Sequence, residues 1–70
     1  MPSVRAEFYI KLLKDPNPNV RKKAAQAIGQ IGDKAALFRL KAVLKTESDA
    51  EVKATIEQAI AAIERHKRET

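Results

Sequence analysis

Apolar residues along this chain return every three or four positions, the period of one face of an α-helix. Val4, Phe8 and Leu12 form a first stripe, flanked by Tyr9 and Leu13. Val20, Ala24, Ala27, Ile28 and Ile31 form a second. Leu37, Leu40 and Leu44, widened by Ala36 and Val43, form a third, and Val52, Ile56, Ala59, Ile60 and Ile63 a fourth. No stretch alternates apolar and polar residues for long enough to predict a strand. The pattern therefore predicts an all-α chain of four helices.

The breaks between the stripes carry helix-end chemistry. Pro2-Ser3 opens the first helix with Ser3 as N-cap, and Pro16 stops it near Lys14 by disfavouring helix at Asp15. Asn17 caps the second helix with Pro18 at its first position, and Gly32 closes it in a left-handed conformation. Asp33 is placed to cap the third. Ser48-Asp49-Ala50-Glu51 reads as an S-x-x-E capping box for the fourth, which can continue to about Arg65 or His66.

The second and fourth stripes are copies. Adding 32 to Val20, Ala24, Ala27, Ile28 and Ile31 gives Val52, Ile56, Ala59, Ile60 and Ile63, and Gln26 maps to Gln58. Leu12, Leu13 and Lys14 map to Val43, Leu44 and Lys45 at an offset of 31. A fixed period of this length marks a stacked solenoid of helical hairpins. Residues 1–70 are read as a single domain: one repeat over 3–32, a second over 33–66, and a basic tail at 67–70.

The stretch LLKDPNPNVRKKAAQAIGQIGD, residues 12–33, resembles a HEAT repeat. It is similar to the short prokaryotic type found in bilin lyases. The matching positions are Asp15-Pro16, Val20-Arg21, Ala24-Ala25 and Ile28-Gly29-Gln30-Ile31-Gly32. The second repeat departs from the pattern, with Lys53 for the arginine and Ala61 and Glu64 for the two glycines. The resemblance implies two antiparallel hairpins stacked as a short right-handed alpha-alpha superhelix. It implies that the second helix of each pair lines the ligand-facing side. It also implies that Asp15 bonds toward Arg21, and Glu47 correspondingly toward Lys53. On this basis Asp15, Arg21, Gly29 and Gly32 are assigned to structure.

Charge changes the picture on one helix. The chain has 14 Lys and Arg against 9 Asp and Glu, a net charge of +5. Such a surplus favours anionic partners. Lys11, Lys14, Lys41 and Lys45, and the run Arg65-His66-Lys67-Arg68, fall near helix C-termini, where the dipole favours cations. Arg21, Lys22 and Lys23 fall at a helix start, which favours acid. If Asp15 neutralises Arg21, Lys22 and Lys23 remain to be explained. With Gln26 and Gln30 they face away from the apolar stripe, and Ala54, Thr55, Gln58 and Ala62 are the corresponding positions of the fourth helix.

Catalytic chemistry is not signalled. There is no cysteine, the one histidine is His66 in the tail, and Ser3 and Ser48 stand at predicted caps. Glu47, Asp49 and Glu51 cluster at a helix start without the glycine and ligand spacing of a calcium loop. No enzymatic activity, cofactor or metal is expected. No apolar run is long enough to span a membrane, and a cytoplasmic protein without a membrane partner is expected.

The function this suggests is a non-catalytic protein-interaction or scaffold module. Its partner-binding residues would be Lys22, Lys23, Gln26, Gln30, Thr55 and Gln58, and its partner an acidic protein. The first alternative is electrostatic nucleic-acid binding through helix two and Arg65, Lys67 and Arg68. The second is a purely structural unit that self-associates, as a homodimer, through an exposed repeat end rich in Ala50, Ala54, Ala61 and Ala62.

Overall fold

The computed structural model describes residues 3–67, with side chains placed for residues 3–65. Helix α1 runs Val4–Leu12, α2 Pro18–Ile31, α3 Leu37–Thr46 and α4 Ala50–Lys67, with a short 3₁₀ turn at Lys34–Ala36 before α3. Helix α1 packs on α2, α3 packs on α4, and α2 lies against α4 along its length. The result is two layers, α1 and α3 outside and α2 and α4 inside, as in a helical solenoid.

Helices α1, α2 and α4 begin where a short polar side chain takes their orphan amides, and α3 continues from a capped 3₁₀ turn. The Ser3 hydroxyl accepts from the Ala6 amide at 3.1 Å, and the Asn17 side chain accepts from the Asn19 amide at 2.9 Å. Gly32 ends α2 at φ 72°, a left-handed conformation that a Cβ disfavours. Two predicted starts are corrected. Asp33 caps the 3₁₀ turn through the Ala35 amide (2.9 Å), and α3 proper begins at Leu37. The S-x-x-E box does not form at α4. Asp49 takes the Glu51 and Val52 amides at 2.9 and 3.1 Å, because it stands directly before the first helical residue and Ser48 does not.

The core is narrow and continuous. Leu13, Ile28, Leu40, Val52, Ile56 and Ile63 are its large, fully buried members, with alanines 6, 24, 25, 36 and 59 between them. Each large side chain so buried contributes about 1.5–3 kcal/mol relative to exposure. The stripe predicted for α1 is corrected in part: Leu12, with Tyr9 and Leu13, packs as expected, and Val4 and Phe8 do not. Ala6, Ile10 and Leu13 face the core, whereas Val4 is 88% and Phe8 59% exposed. Both sets have helical spacing, and small Ala6 lets α1 approach α2 closely where Phe8 would hold it away.

Burial gives the beginnings of the outer helices a different register from the offset of 31 at their ends. Ser3, Ala6, Ile10 and Phe8 correspond to Asp33, Ala36, Leu40 and Phe38, an offset of 30. The caps agree, Ala6 and Ile10 are buried like Ala36 and Leu40, and Phe8 and Phe38 are both exposed. The inner caps Asn17 and Asp49 keep the offset of 32. Helix α4 extends through Lys67, past its expected end and into the expected tail. Met1 and Pro2, and Arg68 to Thr70 with the remainder of the basic tail, lie outside the described residues, as do the side chains of His66 and Lys67.

Candidate functional site

The α2–α4 contact is set by a glycine. A Cβ placed on Gly29 would lie 3.1 Å from both Cα and Cβ of Ala59. A side chain at this position would require Ala59 to give way by a few tenths of an ångström. Above the contact runs an open groove of about 540 Å³, lined by Gln26, Gly29, Gln30, Thr55, Gln58, Ala59 and Ala62. Three exposed amide side chains, Gln26, Gln30 and Gln58, stand around small residues. Amides both donate and accept hydrogen bonds, so the groove offers polar recognition without charge.

Thr55, expected on the outward surface, is instead buried at 6% exposure. It lies one turn before Ala59 on the side of α4 that meets α2. Its hydroxyl donates back to the Glu51 carbonyl at 2.9 Å, so it reaches the groove as floor and has its polar group satisfied within the helix. Gln26, Gln30 and Gln58 are brought together as the repeat arithmetic suggests. Lys22 and Lys23 do not line this groove.

The cations at the start of α2 find their counter-charges in the other repeat. Arg21 makes a two-pronged pair with Glu47, Nε to Oε1 and Nη2 to Oε2, both at 2.9 Å. The Glu47 side chain is 3% exposed. Arg21 Nη1 also donates to the carbonyls of Asp15 and Pro16, at 2.8 and 3.0 Å. The expected Asp15–Arg21 and Glu47–Lys53 side-chain pairings are thus corrected. The Asp15 carboxylate is occupied by the Asn17 amide at 2.9 Å, and what Arg21 takes from residue 15 is its backbone oxygen. Lys53 is exposed. Lys22 Nζ lies 3.1 Å from Glu51 Oε1, so this cation too has a partner on α4. Lys23 is exposed and makes no ion pair among the described residues.

These contacts perturb the charges in one direction. The hydrogen bonds from Arg21, assisted by the Asp49 amide, hold the Glu47 carboxyl below the usual carboxylate range. Glu47 in turn raises the Arg21 guanidinium further above its ordinary value. Asp33 is lowered by the Ser3 amide, 2.7 Å from Oδ2, and by the Ala35 amide. The sequence carried a signal for the cross-repeat pairs. The acids Glu47 and Glu51 stand 26 and 29 residues after the cations Arg21 and Lys22, six and three short of the 32-residue repeat, which places them at the turn and first helical residues facing the start of α2. A second hollow, about 620 Å³, opens between the ends of α1 and α3 beside this ion pair, with Leu13 and Val43 in its lining. No buried side-chain polar atom among the described residues lacks a hydrogen-bond partner.

Among the described residues no three His, Cys, Asp or Glu side chains are placed to hold a metal ion. No helix among them is long and apolar enough to cross a membrane.

A family model described as HEAT repeats matches residues 3–61, spanning both hairpins. The chain belongs to the HEAT-repeat family. HEAT repeats generally mediate protein interaction or scaffolding, and the family is typically non-catalytic. Two curated relatives match part of the chain. An uncharacterized protein in the gldA 3'region of Geobacillus stearothermophilus is 48% identical over 52 residues, 73% of this chain and 24% of that protein. Epoxyqueuosine reductase of Bacillus subtilis (strain 168) is 49% identical over 47 residues, 67% of this chain and 12% of that enzyme. The chain thus spans about a quarter and about an eighth of the length of these relatives. No solved structure matches the chain. In HEAT-repeat terms, Arg21–Glu47 and Lys22–Glu51 are ties between successive repeats.

Proposed function

We infer that this pair of HEAT hairpins is a non-catalytic interaction module whose α2–α4 groove receives a segment of a protein partner. The observation that carries this reading is the cluster of Gln26, Gln30 and Gln58 around a floor of Gly29, Thr55, Ala59 and Ala62. Small residues let a backbone come close, and the amides can then exchange hydrogen bonds with its peptide groups. Lys23 adds one exposed positive charge on the same helix. Acidic character in the partner is proposed only for the part that would lie near it, because Lys22 already faces Glu51.

Peptides selected from a random library on the immobilised chain test the reading. A selected peptide should lose about tenfold or more in affinity when Gln26→Ala and Gln58→Ala are combined. Its binding should depend only weakly on salt. Peptides insensitive to those changes would place the partner elsewhere. The nucleic-acid alternative makes the opposite prediction. Duplex DNA binding would weaken with a log–log salt slope of about −0.9 for each phosphate neutralised, and Lys22→Glu with Lys23→Glu would abolish it.

A further inference from the structure

The net charge of this chain is not spread over its surface. Residues 4–14 and 34–46, which take in α1 and the two residues after it, the 3₁₀ turn and α3, hold seven of the 14 cations and one of the nine acids. The rest of the chain holds seven cations and eight acids. The outer layer therefore carries a surplus of six positive charges, and the remainder is close to neutral. Arg5, Lys11 and Lys14 by α1 and Lys34, Arg39, Lys41 and Lys45 by α3 are all exposed. Among them Lys41 alone has an ion-pair partner in the described residues, Glu64 at 3.3 Å. The acid of this layer, Glu7, is half-buried.

The same layer holds the exposed large apolar side chains of the described residues. Val4, Phe8 and Phe38 are 88%, 59% and 79% exposed. Val4 and Phe8 are one helical turn apart, so they share a face of α1. Phe8 and Phe38 are equivalent positions of the two repeats, and each is followed three residues later by a lysine, Lys11 and Lys41. The fold thus repeats one arrangement, an outward phenylalanine beside an outward lysine, on the two outer helices.

We propose that the α1–α3 face is a docking surface for an anionic lipid bilayer. Cations around projecting apolar side chains meet two needs of the lipid–water boundary: the cations meet acidic headgroups, and the apolar groups enter the acyl region. A second copy of the chain fits the face poorly, since two such surfaces would repel. Nucleic acid would engage the cations, and bases would stack on phenylalanine, but aliphatic Val4 offers no stacking surface. The proposed face is on the opposite layer from the Gln-lined groove, so the two readings stand or fall separately. The proposal departs from the sequence-based expectation of no membrane partner: no helix among the described residues can span a bilayer, and the attachment proposed is to its surface.

The test is co-sedimentation of the chain with two kinds of vesicle, phosphatidylcholine alone and phosphatidylcholine with roughly a third phosphatidylserine. Binding is expected to the anionic vesicles only. Lys11→Glu with Lys41→Glu should weaken it about tenfold or more. Phe8→Ser with Phe38→Ser should weaken it comparably. Lys22→Glu with Lys23→Glu, on the inner layer, should leave it unchanged. All six positions carry side chains outside the core, and unchanged helicity by circular dichroism establishes that each variant is folded. Failure to bind anionic vesicles overturns the proposal. So does binding that ignores the phenylalanine changes, which would make the face a general polyanion surface. Preferential capture by a single-stranded or duplex oligonucleotide, sensitive to the same lysines, overturns it in favour of nucleic acid.

Discussion

At Gly29, one hydrogen in place of a methyl group sets how closely the two inner helices lie. The atoms that a Cβ would meet include the Ala59 Cα, which is backbone and cannot rotate aside. Gly29→Leu should therefore destabilise the chain by about 1–3 kcal/mol, despite leucine's better helix propensity. Urea unfolding followed by circular dichroism checks this. A variant as stable as the parent would mean that α4 can move outward without loss. Gly29 was legible in the sequence as a special position, because it matched a family pattern. The reason was not legible, since the residue it must accommodate is thirty positions away in the chain.

Helices are where pattern reading succeeds and where it picks the wrong face. Helix α1 has apolar residues on two sides, and periodicity alone cannot rank them. Ala6 looks like a filler in the sequence but is fully buried, and Phe8 looks like a core residue but projects into solvent. Phe8→Ser should change stability by less than about 0.5 kcal/mol. Ile10→Ala should cost about 2–5 kcal/mol. If the two costs were reversed by chemical denaturation, the packing face of α1 would have been assigned wrongly. The start of α4 gives a second comparison at this scale. Asp49→Ala should cost about 0.5–2 kcal/mol through the loss of a cap, and Ser48→Ala should be neutral within about 0.5 kcal/mol. Both residues are capping types, and only the placement of the first helical turn separates them.

At the scale of the whole fold, the two carboxylates held below their ordinary range among the described residues are ones that bind distant parts together. Glu47 ties α2 to the second hairpin through Arg21, and Asp33, between the hairpins, holds the Ser3 amide at the beginning of α1. A carboxyl whose folded pKa is depressed binds protons more tightly in the unfolded chain. Its stabilisation is complete above the unfolded value, roughly 4, and is lost as pH falls through the folded value. The melting temperature should accordingly change little between about pH 7 and 5 from these groups, then fall below about pH 4. Glu47→Gln should lower the melting temperature at neutral pH and flatten the acid limb. An acid limb of unchanged steepness would show that Glu47 is not among the groups that report on folding. The same scale shows where the net charge resides. Composition assigns the surplus to the chain as a whole, and in the sequence its densest cluster at a helix start is Arg21–Lys23. Folding assigns acids to two of those three cations and leaves the excess on the outer layer.

The sequence by itself determined the helices, most of their ends and the doubling of the hairpin. These depend on spacing, caps and backbone preferences that act within a few residues, and Asn17, Pro18 and Gly32 would serve the same ends in any fold. Tertiary structure decided which residues meet. It turned Ala6 inward and Phe8 outward, gave Arg21 to Glu47 where a local Asp15 was expected, and buried Thr55 beneath the groove that Gln26, Gln30 and Gln58 surround. Each of those outcomes depends on how far one helix is rotated and displaced against another. That is set by the shapes of side chains far apart in sequence, among them the hydrogen of Gly29 against the Cα of Ala59.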